Sequence, residues 1–194
     1  MNLAENGMDV ALPSFGSFLE DEQCVFFNRK STRGVYITTN CYADAYLSNQ
    51  WQIDIICVPT MENVNSDAGF LIATGLPDNS YHYGWWMRPT PRLMTRNYAN
   101  ETTLVSSPVK VALSVRPSPT NSLYVQFFKN GELFLTQKNW FGKEYSKLGR
   151  ILWWDGGGRG FNMKLYCFRI YNRALTDEEI RANYAIDKER FGIQ

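Results

Sequence analysis

The chain has 194 residues, 44% of them hydrophobic and 15% aromatic, and a formal net charge of +1. That length can bury one substantial core, and so balanced a charge gives no electrostatic basis for binding a nucleic acid or an anionic membrane. No apolar run approaches the length of a membrane span, and Met1-Asn-Leu-Ala-Glu-Asn-Gly7 lacks the basic start and apolar centre of a signal peptide.

Residues 1–17, with Gly7, Pro13 and Gly16, read as an irregular arm or linker, and 18–194 as a single domain. Residues 24–27 and 35–38 have the aromatic and β-branched content of short strands. Over 51–58 the pattern alternates, so that Trp51, Ile53, Ile55 and Cys57 share the face expected to meet the core. Residues 69–74 form another strand, closed by Gly75-Leu-Pro-Asp-Asn-Ser80. Residues 109–116 and 123–129 are expected neighbours across Pro117-Ser-Pro-Thr-Asn-Ser122, and Asn130-Gly131 is the strongest hairpin turn because both residues tolerate positive φ. Residues 165–171 form the last strand, and Asn172-Arg173 a polar corner.

A helix is expected to start at Thr176. Its hydroxyl can accept the Glu179 backbone N–H while the Glu179 carboxylate accepts the Thr176 N–H, and Leu175 and Ile180 are spaced as a hydrophobic staple. Asp177 and Glu178 suit the positive end of the helix dipole. The run Arg169-Ile-Tyr-Asn-Arg-Ala-Leu-Thr-Asp-Glu-Glu-Ile-Arg-Ala-Asn-Tyr184 resembles the C-terminal signature of the laminin-G-like, concanavalin A-like lectin/glucanase superfamily in its bacterial and phage form. Gly34-Val-Tyr-Ile-Thr38, Asp67-Ala-Gly-Phe-Leu-Ile72 and Phe127-Phe-Lys-Asn-Gly-Glu-Leu133 resemble its early strand, middle strand and hairpin. The resemblance implies an all-β fold, a two-sheet antiparallel jelly-roll sandwich with a short C-terminal α-helix. It leaves activity open, because such sandwiches bind glycans or proteins, cleave glycans or build assemblies.

Catalysis requires two carboxylates flanking one glycosidic bond, which on a strand means acids two or four apart. The E-x-D-x-E string of the superfamily's glucanases is missing. Glu20 and Glu22 precede a strand, and Asp177 with Glu179 and Asp187 with Glu189 lie in the helical run, where i and i+2 point apart, so all three pairs read as solvated acids. His82 is the only histidine, and Gly156-Gly-Gly-Arg-Gly160 lacks the lysine and hydroxyl of a phosphate loop. Cys24, Cys41, Cys57 and Cys167 lack zinc-site spacing and read as small hydrophobes, with one disulfide left open.

The aromatic residues carry the remaining signal, since a sugar offers a flat C–H face ringed by hydroxyls. Along 81–88, Tyr81, Tyr83 and Trp85 alternate with His82, Trp86 and Arg88. Trp153 is expected to point inward with Ile151, leaving Trp154 on the opposite face beside Asp155, where the superfamily more often has a small residue. The candidate ligand-binding residues are therefore Trp154, Asp155, Arg159, Trp86, Arg88 and Trp140, the last in a loop-like stretch. No cofactor is expected, and no spacing of oxygen ligands around Asp155 supports calcium.

Two functions follow. One is a non-catalytic module that recognises glycans or surface polysaccharide on a bacterial surface or phage virion. The other is a virion or appendage component that packs against other subunits through the jelly roll. Glycoside hydrolysis ranks below both for want of paired acids.

Overall fold

The computed structural model describes residues 16–27, 50–59, 69–75, 81–88, 92–95, 99–104, 107–117, 123–141, 148–153 and 163–194. The expected two-sheet antiparallel sandwich and C-terminal helix are what it contains. One sheet holds β1 (Gly16–Leu19), β2 (Cys24–Phe27), β3 (Trp51–Pro59), β8 (Val109–Pro117), β9 (Leu123–Lys129), β10 (Glu132–Phe141) and β12 (Met163–Tyr171), in the order β1-β2-β12-β3-β8-β9-β10. The other holds β4 (Gly69–Gly75), β5 (Tyr81–Arg88), β6 (Arg92–Thr95), β7 (Ala99–Leu104) and β11 (Leu148–Trp153), in the order β11-β4-β5-β6-β7. The helix is α1 (Asp177–Phe191).

The core face of β3 is the one its alternation indicates. Trp51, Ile53, Ile55 and Cys57 are fully buried, and their pairing partners Val115, Leu113, Val111 and Val109 on β8 are buried with them. α1 covers the opposite face of the same sheet, so the five-stranded sheet is what closes this one. The cover by α1 is seen in the apolar cluster that joins Ala112 and Phe128 to Leu175 and Ile180, with Tyr171 packed against it. The two staple residues thus meet inside a three-layer stack.

The local elements follow from their residues. Asn130 (φ 48°) and Gly131 (φ 81°) form the turn between β9 and β10. Gly131 is required there for a second reason, since a Cβ would come within 2.8 Å of the Tyr184 ring. At the start of α1, the Glu179 N–H donates to Thr176 Oγ1 (3.2 Å) and the Thr176 N–H to Glu179 Oε2 (2.8 Å), the reciprocal cap that the spacing predicts. Gly192 ends the helix at φ 62°, and the Ile193 N–H returns to the Lys188 carbonyl.

Several expectations are corrected or fall elsewhere. Gly16 and Ser17, read as irregular, pair with Phe27 and Phe26 in β1. Trp140 lies within β10 rather than in a loop, in a stretch where β10 carries extra residues between Gln137 and Phe141. Cys24 and Cys57 are buried free thiols and Cys167 is a half-buried one, with burial pushing Cys57 up to about 12. Cys41, the expected strand at 35–38 and the glycine run at 156–160 lie outside the described residues.

Candidate functional site

The strongest concentration of charge lies between α1 and the seven-stranded sheet. Lys110 Nζ donates to Asp187 Oδ2 at 2.8 Å and stands 3.0 Å from Asp54 Oδ2. That second contact is an ion pair without hydrogen-bond alignment, which leaves Asp54 Oδ2 without a hydrogen-bond partner. Asp54 Oδ1 accepts from Gln52 Nε2 (2.8 Å), whose Oε1 accepts the Leu175 N–H (3.3 Å) at the approach to α1. Arg169 grips Asp187 with both terminal nitrogens, at 2.7 and 2.6 Å. Side-chain exposure is 2% for Lys110, 1% for each aspartate and 30% for Arg169, so Lys110 and the two aspartates are sealed from water while Arg169, the second cation, reaches the surface.

This corrects the reading of Asp187 as a solvated acid. Burial works to raise its pKa, but the hydrogen bonds from Arg169 and Lys110 outweigh burial and hold it below its ordinary value. The reading fails because a helix that looks polar outside its staple turns one aspartate onto a buried lysine of β8, 77 residues away in sequence. The signal available in the sequence is the pair Asp54 and Lys110, each a charged residue flanked on both sides by apolar, β-branched ones. The other acids are accessible. Glu20 is exposed, Glu22 holds Lys164 across the sheet edge (2.6 Å), and Glu179, at about 2, is depressed by Arg173 and by the Thr176 N–H.

Asp54 and Asp187 are carboxylates brought together by the fold, balanced by Lys110 and Arg169 and buried between α1 and the sheet. Glycoside hydrolysis requires a carboxyl pair open to the sugar on both sides of the bond. The cluster lacks that access. Its chemical capacity is to fix the helix on the sheet. Among the described residues no group of three or more histidine, cysteine, aspartate or glutamate side chains could hold a metal ion. Among them, too, no helix is long and apolar enough to cross a membrane.

The aromatic candidates distribute unevenly. Trp154, Asp155 and Arg159 lie outside the described residues, directly after β11. Trp86 and Arg88 belong to β5, in the five-stranded sheet, and Trp140 to β10, at the end of the seven-stranded sheet. Pairing brings positions 86 and 153 into one row, because Trp153 registers with Phe70 on β4 and Phe70 with Trp86 on β5. Two strand spacings separate them, about 10 Å. Trp140 belongs to the other sheet.

The architecture is shared with solved structures at low sequence identity. A mutant of Trypanosoma rangeli sialidase displaying trans-sialidase activity matches with a TM-score of 0.59 and 13% identity, over 93% of this chain and 30% of that one. The CBM40 of Ruminococcus gnavus IT-sialidase, bound to α2,3-sialyllactose, matches with a TM-score of 0.51 and 20% identity, over 79% of this chain and 94% of that one. The botulinum neurotoxin type G receptor binding domain has a TM-score of 0.44 at 11% identity, over 72% of this chain and 38% of its own. The chain thus spans less than half the length of the sialidase and of the toxin domain. Its sequence matches no family model and no curated protein.

Proposed function

We propose that the chain is a non-catalytic, lectin-like binding module of the concanavalin A-like type that recognises glycans through its five-stranded sheet. The observation that carries this reading is the asymmetry of the sandwich. The far face of the seven-stranded sheet is covered over β3, β8, β9 and β12 by α1 and its charge cluster, which closes that part of the face to a ligand. Among the described residues the five-stranded sheet has no helix over it, and its end strand β11 stops directly before Trp154. The CBM40 of similar fold, bound to sialyllactose, supports the reading at the level of architecture. A bacterial surface or phage virion is the setting that fits such a module, and no metal is invoked for the contact.

A stacked ring and a few hydrogen bonds give an affinity near millimolar, about −4 kcal/mol. The test is a glycan array followed by titration of Trp154→Ala. Binding is expected to be lost with the melting temperature nearly unchanged. A set of glycans bound equally well by this variant contradicts the surface.

One observation favours assembly as a second reading. Both end strands of the seven-stranded sheet carry an exposed large apolar side chain, Phe18 on β1 and Leu133 on β10. Concentration-dependent association abolished by Phe18→Ser or Leu133→Ser, in a chain that binds no glycan, supports that alternative.

A further inference from the structure

The Asn130-Gly131 turn carries a chemistry that no binding reading uses. Asparagine followed by glycine is the pair most prone to lose its side-chain amide, because glycine has no Cβ to shield the backbone nitrogen that attacks. At position 131 the fold admits no other residue, since φ is 81° and a Cβ would stand 2.8 Å from the Tyr184 ring. The labile pair is therefore imposed by the packing of α1 on the hairpin. Asn130 is also a point of attachment. Its N–H donates to the Lys110 carbonyl (2.9 Å), its Oδ1 accepts the Lys110 N–H (3.0 Å), and its Nδ2 donates to the Gln194 carbonyl (3.3 Å). One residue thus joins β8, the β9–β10 turn and the segment after α1, which is anchored by the buried Ile193.

In deamidation the Gly131 nitrogen gives its proton to base and bonds to Asn130 Cγ, the Cγ–Nδ2 bond breaks, and the amide nitrogen leaves as ammonia. Water then opens the cyclic imide to an aspartyl or an isoaspartyl residue, with no change of oxidation state. The attack requires the carboxamide to swing onto the Gly131 nitrogen. In the fold both of its polar atoms are held elsewhere, by the Lys110 N–H and the Gln194 carbonyl. Conversion to a carboxylate keeps an acceptor for Lys110 but removes the donor to Gln194. We propose that Asn130 is a modification site, a deamidation site that the fold holds nearly silent and whose conversion releases the segment after α1 from the hairpin.

The test incubates the full chain in mildly alkaline buffer, folded and unfolded in urea, and follows the peptide containing residue 130 for a mass gain of about 1 Da. The expected result is conversion at least about tenfold slower in the folded chain than in the unfolded one. Ile193→Ser, which loosens the segment after α1, should recover part of that difference. Asn130→Asp stands in for the product and does not depend on that variant folding. Its Ile193 amide, which donates to the Lys188 carbonyl in the wild type, should exchange faster, while the amides of β8 keep their protection. Equal rates in the folded and unfolded chains, or no mass gain in the unfolded chain, overturn the site. A folded Ile193→Ser that converts no faster than wild type overturns the protection by the segment after α1. Unchanged Ile193 exchange in Asn130→Asp overturns the release.

Discussion

β3 and β8 are buried on both faces, and the two faces are filled by different chemistry. On the inner face Trp51, Ile53, Ile55, Val111 and Leu113 pack as a continuous apolar layer. On the outer face Gln52, Asp54, Lys110 and Ser114 are buried as completely, because α1 lies over them and the Lys110–Asp187–Arg169 contacts neutralise the charge. An apolar layer tolerates modest changes of shape, whereas a buried ion cluster holds only while every member is present. The outer face is thus the more brittle, and a docked helix with so specific a lock leaves it unavailable to a ligand.

That contrast predicts an order of effects. Asp187→Ala should have the largest, about 3–5 kcal/mol by denaturant unfolding, because the buried Lys110 loses its hydrogen-bonded anion and the partly exposed Arg169 loses its bidentate partner. If the loss comes from unpaired charge rather than from packing, replacing Asp54, Lys110, Arg169 and Asp187 together by apolar residues of similar volume should cost far less than the single change. A quadruple variant less stable than Asp187→Ala contradicts the comparison.

The same cluster sets the response to acid. The Asp187 pKa lies below its ordinary value of 3.8, so its contribution is fully present above that value and is lost as the pH falls through the lower, folded one. In urea melts at stepped pH, the wild type should therefore lose stability below about pH 4, and Asp187→Asn should show a flatter profile there. Identical profiles would remove Asp187 from the account.

On the inner face Ile55→Val deletes one methylene from a fully buried site and should cost about 1 kcal/mol. Thr176→Ala removes a cap at the exposed start of α1 and should cost a similar amount, about 1 kcal/mol. The smallest effect belongs to Arg173→Ala, which breaks an exposed pair with Glu179 and should leave the melting temperature nearly unmoved.

Much of this was legible in the sequence because the responsible forces are local. The Thr176 cap, the Asn130-Gly131 turn and the alternation of β3 each depend on neighbours a few residues away. The outer layer was not. Its polar residues alternate with apolar ones as they would on a solvated strand, and only the position of α1 makes them interior. Asp187 and Lys110 become partners through tertiary placement, which no periodicity of either segment contains. For the candidate site, Trp86 and Arg88 were visible as aromatic and charged residues in a strand, but the row joining Trp86 to Trp153 requires strand order and register. The placement of Trp140 in the other sheet is likewise a matter of topology.

The central claim is that α1 is a third layer of the core, closing the outer face of the seven-stranded sheet. Native-state hydrogen exchange measures this directly by giving the opening free energy of the amides at 180–191 beside those of β3 and β8. The account predicts that the helix amides over Asp187 exchange only through the same global unfolding that exposes the two strands. Helix amides that open at clearly lower free energy while β3 and β8 stay protected would show a detachable helix, and the outer face of the seven-stranded sheet would return as a candidate binding surface.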